Sequence, residues 1–176
     1  CWHLYEFYGD RDLLRKNFQG LKNYVDFLRR QATGNLQLTL GKYGDWCQPG
    51  SLVPKKTPLE LVATWAYYHD VLTFSRICEL VGRKEEAKEY LELAGQIKTA
   101  FNRAFLEERQ YKARRQGPVD RCPDQTANLL PLALDLVPED SKNEVLKSLL
   151  EAITVHHDYH PDTGVIGTRY LFEVLE

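Results

Sequence analysis

The chain has 176 residues, 43% of them apolar and 27% charged, a composition that suits one globular domain with a sizeable core. Its 23 basic and 25 acidic residues are intermixed and leave a net charge of −2, which excludes the basic footprint of a nucleic-acid or anionic-membrane binder; Arg114-Arg115 is too short a cluster to change that. No apolar run approaches the roughly 20 residues that span a bilayer, and Cys1, Cys47, Cys78 and Cys122 are scattered without metal or disulfide spacing, so free thiols and no metal are expected.

Cys1-Trp2-His3-Leu4-Tyr5-Glu6-Phe7-Tyr8 is an aromatic amphipathic stretch that stops at Gly9 and reads as the tail of a helix. Asp10 then caps a helix over 11–32, with Leu13, Leu14, Phe18, Leu21, Tyr24, Val25 and Leu28 at i, i+3, i+4 and i+7 spacings. A polar connection over 33–57 follows, far longer than the usual link between helices, and it carries Leu36, Leu38, Leu40, Tyr43, Trp46, Leu52 and Val53. That apolar load argues against a solvated linker. Within it, Asp45 beside Trp46 has two readings. As a sugar-binding pair, the acid accepts hydroxyl hydrogen bonds and the indole packs on apolar C–H groups. As a structural plug, the Trp seats the loop on the core and the Asp caps a turn.

Thr57-Pro58-Leu59-Glu60 has the capping-box pattern with Pro at the first helical position, and it opens a helix over 58–81 that is apolar on most of its circumference and therefore buried. After Gly82, the span 83–105 is one-sided again, with Ala87, Tyr90, Leu91, Ala94, Ile97, Ala100 and Phe101 predicted to face inward. A second long connection, 106–123, holds a short extended piece at Gln110-Tyr111-Lys112-Ala113. Asp124 caps a wholly apolar helix to Leu136, 139–156 is another one-sided helix, and 157–164 leads to a last apolar helix over 165–175.

One-sided helices thus alternate with helices apolar nearly all round, the pattern of helical hairpins in an outer and an inner layer. The fold class expected is all-α, part of an (α/α)6 toroid with about seven helical segments. Residues 1–176 are expected to form a single partial domain, with an inner helix at each terminus short of neighbours to cover it. Long connections enter the inner helices and tight ones leave them, which gathers the long loops at one end, the expected binding face.

Five motifs, in order, carry a resemblance to a known family: Trp2-x-x-Tyr5-x-x-Tyr8-Gly9-Asp10, Tyr43-Gly44-Asp45-Trp46, Lys56-Thr57-Pro58-x-Glu60-Leu61, Asp124-Gln125-Thr126-Ala127-Asn128 and His160-x-x-Thr163-Gly164-x-x-Gly167-Thr168. The chain resembles the middle portion of the six-hairpin catalytic domain of bacterial α-L-rhamnosidases, glycoside hydrolase family 78. The resemblance implies hydrolysis of terminal α-L-rhamnose with inversion by a general-acid and general-base carboxylate pair, without a cofactor. It also implies that the acid precedes the part matched by Cys1 and the base follows the part matched by Leu175. No catalytic residue is then expected in this chain, Asp45 being the fallback, and the isolated chain is expected to be inactive. Substrate contacts are expected from Trp46, Asp45, Gln125 and His160, with the remainder of the parent barrel as partner and the bacterial compartment, cytoplasm or periplasm, left open. Gln125 and Thr126 have a capping role as their alternative, and His156, His157 and His160 beside Asp158 and Asp162 read as a hydrated loop rather than a metal cluster. The competing functional class is a tetratricopeptide-like interaction scaffold, suggested by the Ala/Tyr/Leu pattern of 83–105. Its period of roughly 34 residues is not matched by outer helices that begin about 72 and 56 residues apart.

Overall fold

A helix that starts at Arg11 needs acceptors for its first N–H groups, and Asp10 supplies one. Its Oδ1 accepts from Asp12 N and Leu13 N, each at 3.0 Å, in a computed structural model that describes residues 1–54, 56–111 and 123–176. Helix α1 (Trp2–Tyr8) ends one residue earlier at Gly9, whose left-handed backbone returns its N–H to Tyr5 O. Helix α2 (Arg11–Gln31) buries Leu14, Phe18, Val25 and Leu28 along one stripe. It closes into a tight turn in which Thr33 and Leu36 pair and Gly34 and Asn35 both take positive φ. Gln37 then pins the end of α2 to the next helix, its N–H on Thr64 Oγ1 and its amide on Leu28 O.

Helix α3 (Leu59–Leu80) is buried all round, as its apolar circumference predicts, with Leu61, Trp65, Tyr67, Val71, Phe74 and Cys78 in the core. Its start departs from the expected capping box. The cap residue is Pro58, whose ring has no group to bond, and the Thr57 hydroxyl is turned away to the Asp124 carboxylate, 3.0 Å from each oxygen. Helix α4 (Lys84–Phe105) lies on α3 through Phe74 edge-on to Tyr90 at 4.8 Å. Leu93, only 2% exposed, joins its inner stripe, and Leu91 is 56% exposed instead of buried, since the stripe through Tyr90, Ala94, Ile97 and Phe101 takes position 93 and turns 91 away. The outer helices are cross-tied: Lys22 on α2 bonds Asp26 and the Tyr90 hydroxyl, which itself donates to Asp26 at 2.6 Å.

A two-residue hairpin, β1 (Leu106–Glu107) with β2 (Gln110–Tyr111), forms the extended piece of the second long connection; Lys112, Ala113, Arg114, Arg115 and Cys122 lie outside the described residues. Tyr111 is buried and its N–H reaches Asn128 Oδ1. Helix α5 (Gln125–Ala133) is capped by Asp124, which accepts from Ala127 N at 2.8 Å. It stops short of Leu136 at Asp135, whose positive φ of 56° turns the chain so that Leu136 N returns to Pro131 O at 2.9 Å. The expected outer helix over 139–156 is continuous in direction but changes pitch, as a short 3₁₀ turn (Glu139–Ser141), helix α6 (Lys142–Glu151) and a π-helical turn (Ala152–His156). Helix α7 (Val165–Leu175) completes seven α-helices among the described residues.

The packing is in two layers. Helices α3, α5 and α7 form an inner row in which α5 touches both neighbours, while α2 and α4 lie on α3 and α6 lies on α5. Trp65 joins the whole inner row. From α3 its indole N–H donates to Leu130 O on α5 at 2.6 Å, and its ring meets Tyr170 on α7 edge-on at 5.2 Å. No helix among the described residues is long and apolar enough to cross a membrane.

Candidate functional site

The loop over 33–58, the start of α5 and the loop over 157–164 meet at one end of the inner row, and Asp45 is where they are joined. Its side chain is 0% exposed. Gly164 N and Thr126 Oγ1 donate to Asp45 Oδ2 at 2.7 and 2.5 Å, and Ile166 N and Gly167 N donate to Oδ1 at 2.9 and 3.1 Å. The remaining first-turn donor of α7, Val165 N, goes to Trp46 O at 3.0 Å. Asp45-Trp46 thus accepts every N–H from Gly164 to Gly167 that α7 cannot satisfy internally, and it places a negative charge at the positive end of that helix.

The glycines at this junction are required by space. A Cβ on Gly164 falls 2.6 Å from Asp45 O and 2.7 Å from Asp45 Oδ1, and one on Gly167 falls 2.7 Å from Thr126 Oγ1. Neither position has room for a larger residue while the loop is seated. Trp46, one residue along, has its backbone held by the same contacts and remains 45% exposed.

A second set of polar side chains lies beside the first. The Gln125 amide uses both ends on the 157–163 loop, donating to His160 O at 3.1 Å and accepting from Asp162 N at 2.8 Å. Asp162 pairs with Lys56 and stands 3.4 Å from His157 Nε2. His160 is exposed, with Nδ1 3.0 Å from His157 O. Asp124, which caps α5 and holds Thr57, has its carboxyl pushed up to about 6, chiefly by burial and further by the charges of Asp45 and Asp162, against the opposing hydrogen bonds from Ala127 and Thr57. The histidines diverge, His156 toward Glu151 and His157 toward Asp162, and no group of three His, Cys, Asp or Glu among the described residues is arranged to hold a metal ion.

Trp46, Asp45, Gln125 and His160 therefore come together at one end of the molecule, with different atoms still free. Asp45 and Gln125 are engaged by protein donors and acceptors, whereas the Trp46 ring and His160 reach the surface. Gln125 and Thr126 do not cap their own helix, a task Asp124 performs. Thr126 as an Asp45 partner escapes a reading of the sequence, because 81 residues separate the two.

The family model described as the bacterial alpha-L-rhamnosidase 6 hairpin glycosidase domain matches residues 1–176. The chain belongs to this family. The alpha-L-rhamnosidases of Formosa agariphila and Streptomyces avermitilis are 31% and 30% identical to it, each over 99% of the chain. The solved alpha-L-rhamnosidase structure from Dictyoglumus thermophilum superposes with a TM-score of 0.91 at 48% identity, over 99% of the chain. That of Streptomyces avermitilis, complexed with L-rhamnose, gives 0.81 at 29%, again over 99% of the chain. The chain spans 18% and 15% of the two sequence relatives, and 19% and 15% of the two structures. The two helical layers are accordingly part of a six-hairpin glycosidase fold, and the tetratricopeptide alternative gives way to it.

Proposed function

We propose that the chain forms one wall of an α-L-rhamnosidase catalytic domain, contacting the terminal rhamnose through Trp46 and His160 while the catalytic carboxylates come from parts of the protein outside it. The observation that carries this reading is the half-exposed indole of Trp46 held at the loop end of a chain that belongs to the rhamnosidase family. A deoxysugar presents a methyl group and ring C–H groups to such a ring, and a histidine supplies hydrogen bonds to hydroxyls at the rim. Hydrolysis with inversion needs one carboxylic acid to protonate the leaving oxygen and a second carboxylate to activate water from the opposite face. The buried, fully hydrogen-bonded Asp45 suits neither task. Its contribution to sugar binding runs through Trp46, and that of Gln125 through the loop that carries His160.

The test is titration of L-rhamnose, with D-glucose and L-fucose as controls, into the full-length protein and its Trp46→Ala and Trp65→Ala variants at matched folded fraction. Trp46→Ala is expected to weaken rhamnose binding by about 5- to 30-fold with little change in melting, the loss of one aromatic contact of about 1–2 kcal/mol. Trp65→Ala, which empties the junction of α3, α5 and α7, costs about 3–5 kcal/mol of stability instead. A Trp46→Ala variant that binds rhamnose like wild type and melts early makes the indole a core plug and ends this reading.

A further inference from the structure

We infer that Asp45 is a positioning residue whose task is to hold the Trp46 indole in its rhamnose-facing pose by clasping the loop to the starts of α5 and α7. The inference rests on the reading of Trp46 as the sugar platform. An ionised carboxylate offers about four acceptor positions. Those of Asp45 are taken by Gly164 N, Ile166 N, Gly167 N and Thr126 Oγ1, which leaves none for a sugar hydroxyl. The clasp is bidentate along the chain as well, because the next carbonyl, Trp46 O, accepts Val165 N. Two consecutive residues are thus fixed to one helix start, and the Cα from which the indole projects is fixed with them.

The flanking backbone shows why a clasp is needed. Gly44 and Cys47, on either side of the Asp-Trp pair, both have positive φ, 50° and 60°. Cys47 is not a glycine, and a side-chain-bearing residue holds this conformation only where its surroundings impose it. Without the Asp45 contacts the loop loses four hydrogen bonds to distant parts of the chain: Thr126 lies 81 residues away in sequence and Gly167 lies 122 away. The glycines at 164 and 167 are the counterpart, since a Cβ at 164 falls 2.6 Å from Asp45 O in the loop and one at 167 falls 2.7 Å from Thr126 Oγ1 on α5. The loop, α5 and α7 therefore form one fitted joint, with the Trp46 indole half open to solvent beside it.

The experiment is carried out on the full-length protein labelled with 5-fluorotryptophan and titrated with L-rhamnose. It compares Asp45→Asn, Thr126→Val, Thr126→Ser, Trp46→Phe and the double variant Asp45→Asn/Trp46→Phe. Trp46→Phe assigns the fluorine resonance of Trp46 by its disappearance. Asp45→Asn, which turns an amide N–H₂ toward backbone donors, is expected to shift or broaden that resonance while the other tryptophan resonances stay in place. It is expected to weaken rhamnose binding by about as much as Trp46→Phe, with the double variant no weaker than the weaker single one. Thr126→Val moves the same resonance and weakens binding by a smaller factor, and Thr126→Ser, which keeps the hydroxyl, restores both. Losses that multiply in the double variant mean that Asp45 touches the sugar itself and overturn the inference, as does an unmoved Trp46 resonance in both Asp45→Asn and Thr126→Val. If Asp45→Asn does not fold, the Thr126 pair decides. A wild-type protein that fails to bind L-rhamnose ends the platform reading, and the fluorine spectra then judge the clasp separately.

Discussion

Helices α2 and α7 begin in the same way, with a carboxylate accepting their first N–H groups, and they differ in where that carboxylate comes from. Asp10 caps α2 from the adjacent residue, is exposed, and takes two donors. Asp45 caps α7 from another loop, is completely buried, and takes three backbone donors and a hydroxyl. Water replaces the first cap if it is lost and has no access to replace the second. One helix start is a local convenience, and the other is the joint that seats the candidate sugar-binding loop.

The largest expected effect follows directly. Asp45→Ala leaves three buried N–H groups and the Thr126 hydroxyl without an acceptor, and a loss of about 3–5 kcal/mol in urea unfolding is expected. A loss near 1 kcal/mol shows that water reaches α7 after all and erases the contrast.

Asp124 lies between the two extremes as a cap that is both local to its helix and shared with Thr57. Its folded carboxyl holds a proton up to about pH 6, while the unfolded one releases it near 4. Between those values the folded state binds more protons, so this group's contribution makes stability fall as pH rises from about 4 to 6. Asp124→Asn keeps a capping oxygen and removes the titration. Melting followed across that interval is expected to show a flatter profile in the variant, by on the order of 1–2 kcal/mol once partial solvent access is allowed for. Identical slopes mean that Asp124 titrates normally.

The smallest effect belongs to Asp10→Ala, about 1 kcal/mol of stability with unchanged rhamnose binding. A cost equal to that of Asp45→Ala would show that burial does not separate the two caps.

How far the sequence could be read follows the same division. The caps at Asp10 and Asp124, the one-sided and all-round helices and the end at which the long loops gather were legible, because each depends on neighbours within a turn or two. The errors had two sources, a distant partner and the angle of a residue on its own helix. Thr57 has a cap sequence, and its hydroxyl goes to Asp124. Leu91 has the right residue type for the inner face and misses it by its angle on the helix. Asp45 and Trp46 were found as a pair, with both a sugar-binding and a structural reading open.

By itself the sequence determined the helical periodicities, the alternation of outer and inner elements and, through five ordered motifs, the family, since periodicity and motif order are properties of the chain read along its length. Only the tertiary structure decided that Asp45 faces the start of α7 and Trp46 the surface. A carboxylate acquires its partners from whatever the fold brings within 3 Å, and here those partners lie 81 to 122 residues away.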